Sequence, residues 1–84
     1  MQVWKFTLHP DTPIKMPVGA EVLKVDVQNG DPYVWALVDP EAPTVNRIFK
    51  VVGTGHEADL EEAIYHGTFM LNDGKLVFHV FESV

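Results

Sequence analysis

Hydrophobic and polar positions alternate over two runs, EVLKVDVQ at Glu21–Gln28 and DPYVWALV at Asp31–Val38, with Asn29-Gly30 between them. Alternation of this kind predicts strands, and Asn-Gly predicts a tight hairpin turn that needs positive φ at both central residues. With those two residues as the turn, Gln28 faces Asp31, Val25 faces Val34 and Leu23 faces Ala36. Val27 and Val38 lie on the same aliphatic side, which is the expected core. The reverse side sets Val22, Lys24 and Asp26 against Leu37, Trp35 and Tyr33. A fully solvated face does not carry that much apolar surface, so both sides of the hairpin are expected to be partly covered.

The same reading extends along the chain. Val3 to His9 alternates as a half-buried strand, ended by the Pro10–Pro13 segment. Ile14–Met16, closed by Pro17, reads as a short edge strand. Asp39–Pro43 is a loop with two prolines, and Arg47 to Val52 returns to a strand. Gly53-Thr54-Gly55-His56 breaks that strand, with both glycines expected at positive φ. Thr54 followed by Glu57 fits a capping box, which predicts one short helix within residues 57–64. Tyr65–Leu71 and Leu76–Phe81 form a second hairpin around Asp73-Gly74. There Phe69 meets Phe78 and Gly67 faces Val80, while the reverse side carries Met70 with Val77, Thr68 with His79 and His66 with Phe81. No linker, repeat or low-complexity segment interrupts the pattern. The fold class is mainly β, about seven short strands in a small sandwich or partly open barrel, in a single domain over residues 1–84.

Composition narrows the setting. A chain of 84 residues buries roughly 60–65% of its unfolded surface, which favours subunit association. Cysteine is absent, so disulfides, thiolate nucleophiles and cysteine metal sites are excluded. No apolar run approaches a membrane span, and MQVWKFTLH lacks the features of a signal peptide, so the protein is expected to remain in the cell that makes it. Twelve acidic and six basic residues give a net charge of −6, which disfavours nucleic acid and anionic membranes as partners.

The candidate chemistry is sparse. Ser83 is the only serine, so a Ser-His-Asp or Cys-His site has no credible nucleophile and no catalytic residue is assigned. His66 and His79 are expected as diagonal neighbours on one face, able to share an ion if Glu82 or Glu57 approached. Without an HxH or HExxH spacing, hydrogen bonding to neighbours is the stronger explanation, and no metal or cofactor is assigned. Gly53–His56 has the glycines of a phosphate cradle but matches no nucleotide-binding fingerprint. The aromatic residues say more. Nine of them exceed what one narrow core can hide, and the surplus on both reverse faces marks an interaction surface: Val22, Tyr33, Trp35, Leu37, Met70, Val77 and Phe81.

WKFTL at Trp4–Leu8, MPVGAEVL at Met16–Leu23, VWALVDPE at Val34–Glu41, VVGTGHE at Val51–Glu57, YHGTF at Tyr65–Phe69 and LVFHVFE at Leu76–Glu82 together resemble a family of small phage and prophage proteins of undescribed function. The likeness runs over nearly the whole chain and contains no catalytic signature. It implies expression in the cytoplasm of an infected bacterium. The leading expectation is therefore a non-enzymatic protein that binds stoichiometrically, with a host protein, such as a component of host defence, as partner. A homo-oligomer is expected, a dimer being favoured. The alternatives are a metal or small-molecule binder using His66, His79 and the Gly53–His56 turn, or a minor virion component.

Overall fold

A computed structural model describes residues 1–84, which form eight strands and no helix. The strands are β1 (Gln2–Thr7), β2 (Ile14–Pro17), β3 (Glu21–Gln28), β4 (Asp31–Val38), β5 (Thr44–Arg47), β6 (Phe49–Gly53), β7 (Ala63–Leu71) and β8 (Leu76–Ser83). They make three antiparallel sheets: β1-β4-β3 (sheet A), β2-β5 (sheet B) and β6-β8-β7 (sheet C). The mainly-β reading is borne out.

Both long hairpins follow from their turns. Asn29 and Gly30 have φ of 53° and 85°, and Asp73 and Gly74 have 55° and 83°, the left-handed values that the tight turns require. Gln28 faces Asp31, Val25 faces Val34, Phe69 faces Phe78 and Gly67 faces Val80, as the alternation predicts. Val25, Val34, Ala36 and Val38 of sheet A then meet Phe49, Phe69 and Val80 of sheet C in one core, completed by Leu8, Ile14, Met16 and Ala20. The molecule measures 40 × 30 × 17 Å, so it is only about two sheets thick.

Each long hairpin departs from the simple register at one residue. A bulge between Val22 and Lys24 puts Val22, not Leu23, opposite Ala36. Val22 therefore packs against the core, and Leu23 is 49% exposed. The expected core place of Leu23 and surface place of Val22 are both corrected. A second bulge between Tyr65 and Gly67 pairs Tyr65, not His66, with Phe81. Because side chains alternate strictly along a strand, one extra residue exchanges the faces of everything beyond it.

Two further expectations fail for local reasons. The predicted helix within 57–64 does not form: residues 57–60 are irregular, and Glu62 turns with φ of 58° into β7. The Thr54 hydroxyl bonds across the sheet instead of capping a helix. The single strand predicted from Arg47 to Val52 is broken at Ile48, whose carbonyl accepts from Ser83 N–H at 2.9 Å. Of the two glycines in the turn, only Gly55 has positive φ, while Gly53 ends β6 with the His56 ring against it.

Candidate functional site

Three side chains from three strands meet at one end of the core. Glu82 on β8 points inward beside Phe49 and is 7% exposed. Arg47, the last residue of β5, reaches it with a two-pronged bond, Nε to Oε2 at 2.6 Å and Nη2 to Oε1 at 2.8 Å. The remaining terminal nitrogen of Arg47 donates to the Ala20 carbonyl at 2.6 Å. His66 completes the group, its Nε2 lying 2.7 Å from Glu82 Oε1 and its ring tilted against Phe49. The bulge at residue 66 is what brings His66 here, since regular pairing would point it to the opposite face.

Burial pushes the Glu82 carboxyl up, but hydrogen bonds from Arg47 and His66 and the Arg47 charge outweigh that, so it lies below its ordinary value. The bond to Glu82 raises the Arg47 guanidinium further, against the opposing effect of burial. Every buried side-chain nitrogen and oxygen in the molecule has a partner. The cluster is thus a clasp that ties sheet B, sheet C and the chain entering β3, with its bonds directed at one another and not at an open cleft.

His79 stands apart from it, on the outer face of sheet C. Its Nδ1 lies 3.0 Å from Thr68 Oγ1 and its Nε2 lies 2.7 Å from Thr54 Oγ1, while Thr68 in turn meets the Tyr65 hydroxyl at 2.7 Å. The Thr54 hydroxyl also donates to the Val77 carbonyl at 3.3 Å, so it accepts from His79, and Nε2 carries the proton. A continuous row of hydrogen bonds thus links Tyr65 through Thr68, His79 and Thr54 to Val77.

His66 and His79 therefore occupy opposite faces of sheet C, and their expected convergence is corrected. Of its suggested partners, Glu82 reaches His66 alone. No group of three or more His, Asp or Glu side chains is placed to hold a metal ion. Gly53, Thr54 and His56 border a shallow depression of about 300 Å³ with Lys75 and Leu76–Phe78, open along one side of the sheet.

The apolar residues singled out on the reverse faces fall into two groups. Tyr33, Trp35 and Leu37 form the central row of the outer face of sheet A, between Val3, Lys5 and Thr7 on β1 and Glu21, Lys24 and Asp26 on β3. Tyr33 and Trp35 lean together at 5.9 Å, Lys5 Nζ sits 4.6 Å from the Tyr33 ring centre, and Lys24 pairs with Asp26 at 3.1 Å. Phe81 and Val77 line the outer face of sheet C beside Tyr65 and Met70, the last 58% exposed. No other strand packs across either row. Val22 is the one residue of the set that turns inward. Sequence reasoning missed Arg47, whose pairing depends on a contact 35 residues away.

Residues 1–84 match a family described as Domain of unknown function (DUF7352). The chain belongs to this family. The DUF7352 match covers both hairpins, the clasp and the two outer faces together, so all of them belong to one family unit. No curated protein and no solved structure matches the chain.

Proposed function

We propose that this chain is a non-enzymatic interaction protein that acts by stoichiometric binding, with a protein of the bacterial cytoplasm as its partner and a homodimer as its working form. The observation that carries this reading is the outer face of sheet A. It holds Tyr33, Trp35 and Leu37 in a row on the central strand, with no strand packed over them. Aromatic anchors ringed by charged residues such as Lys5, Lys24, Asp26 and Glu21 have the make-up of a protein-binding patch. The buried polar groups support it from the other side, because they are used up in joining the sheets. The resemblance to small phage proteins supplies the host setting, and occlusion of a defence component is the form of action that fits a small acidic binder.

Affinity capture from the bacterial host tests the reading. Wild-type protein should retain one host protein in near-equal molar amount. Trp35→Glu should lose it, and Lys15→Glu, at the one exposed position of β2, should keep it. Equal recovery by all three, or recovery of nothing, overturns the proposal.

A further inference from the structure

The strands of sheet A end on one side at β1, and nothing in the chain pairs with its outer edge. Which main-chain groups face that edge follows from a single bond. Leu8 N–H donates to the Pro32 carbonyl at 3.1 Å, continuing the register in which Phe6 faces Val34 and Trp4 faces Ala36. In an antiparallel ladder every second residue turns its N–H and C=O to the same neighbour. Gln2, Trp4, Phe6 and Leu8 are therefore bonded to β4, and the N–H and C=O groups of Val3, Lys5 and Thr7 point to the open side.

Most of the usual protections of an open edge are missing here, Lys5 on the outer face being the one charge in β1. There is no proline, no bulge and no inward charge in β1, and its six residues are regular. The other edges are closed or short. β3 and β7 lie against each other, the Phe49 carbonyl of β6 accepts from Asp11 N–H at 2.9 Å, and β2 and β5 have four residues each. β1 also leaves its inward side chains unfinished. Val34, Ala36 and Val38 are fully buried on the same face of the sheet, yet Trp4 is 36% exposed and Phe6 only half-buried, because no strand stands beyond them.

We propose that β1 is the dimer contact: two copies join β1 to β1 in antiparallel fashion and make one six-stranded sheet, β3-β4-β1 continued by β1-β4-β3. A second copy is the occupant that fits, because each copy brings the same two half-covered aromatics to the same side of the sheet. β1 carries no carboxylate, so two molecules of net charge −6 meet there without opposing acidic groups. Charge chooses between the two registers that pair the most residues of β1, those with the axis at Trp4 or at Lys5. A two-fold axis at Trp4 sets Trp4 against the partner's Trp4 and Val3 against the partner's Lys5. An axis at Lys5 would oppose two like charges directly, which is unfavourable. This proposal rests on the homodimer reading above, and it joins the two Tyr33–Trp35–Leu37 rows into one broad face.

Light scattering coupled to size exclusion, together with cross-linking, tests it on the full chain. Wild type should have the dimer mass. Val3→Pro removes an N–H that faces only the open edge, so it should halve the mass while the far-ultraviolet circular dichroism of the folded chain stays the same. If Val3→Pro does not fold, cross-linking decides. The chain has no cysteine, so Trp4→Cys should give a disulfide-linked dimer on oxidation, and Met70→Cys, on sheet C, should not. A dimer that persists in folded Val3→Pro, or that cross-links through Met70→Cys and not Trp4→Cys, overturns the β1 contact and leaves the homodimer standing. A monomeric mass for wild type at every concentration overturns both.

Discussion

Gly67 shows how closely the two sheets approach. Its φ is 152°, and a methyl group added there would meet Val25 Cγ2 at 2.7 Å. Any side chain at this position brings both backbone strain and overlap with a core residue of the facing sheet. Gly67→Ala is therefore expected to destabilise the fold by about 2–4 kcal/mol in urea denaturation. Combined with Val25→Ala it should cost less than the sum of the two single changes, since that substitution removes the overlapping methyl group. Strict additivity of the two changes would show that Val25 and Gly67 are not in contact.

Glu82 is the other residue on which the interior depends. Glu82→Gln leaves the Arg47 charge facing a neutral group, and the expected cost is about 2–3 kcal/mol, below that of a fully buried pair because Arg47 retains some solvent contact. The same carboxyl sets an acid limit. Its folded value lies below the ordinary one, so its contribution to stability is fully present above the unfolded-state value near 4.5 and disappears as pH falls through the folded value. Wild type should thus lose stability over that acidic window, measured by thermal unfolding at a series of pH values. Glu82→Gln should flatten that part of the profile, and an unchanged slope would remove Glu82 from the account.

At the scale of elements, the two bulges decide which residues face the core. Leu23 has no partner across the hairpin, and its deletion would join Val22 to Lys24 in a regular ladder with every later pairing intact. Deleting Leu23 is expected to cost no more than about 1 kcal/mol, since mostly exposed surface is lost. Val25→Asp, two residues on, should unfold the domain, because an unpaired carboxylate in the apolar core costs several kcal/mol against a total of roughly 5–10. Lys24→Asp, on the outer face between them, should be tolerated. Equal damage from Val25→Asp and Lys24→Asp would contradict the assigned faces.

These elements also show where the sequence is legible. Asn29-Gly30 and Asp73-Gly74 announce their turns, and alternation carries the register outward correctly for about five residues on either side. It fails at Leu23, where no glycine or proline marks the bulge, and at His66, where the one signal is the glycine that follows it, Gly67, with φ of 152°. The consequence for the candidate site is direct. His66 leaves the face of His79 and joins Glu82, and the clasp with Arg47 exists only after sheets B and C have come together. The mistaken helix has a similar origin, since Thr54 has the right spacing for a cap but finds stronger partners in His79 and Val77 across the sheet. The outer-face residues Trp35, Tyr33 and Leu37 were readable because they lie close to a well-marked turn.

On the scale of the whole molecule, one core of eleven apolar residues joins the three sheets, and the apolar rows on the outer faces of sheets A and C are only half-buried. No helix is long and apolar enough to cross a membrane. The central claim is that the row on sheet A binds a partner protein in fixed proportion. Trp35 can report on this directly, because Trp4 is the only other tryptophan and Trp4→Phe leaves a single emitter. Titrating that variant with the captured host protein should shift Trp35 fluorescence to shorter wavelength as the ring leaves water. The change should saturate at one partner per chain. Binding that reaches saturation while the Trp35 spectrum stays unchanged would contradict the account.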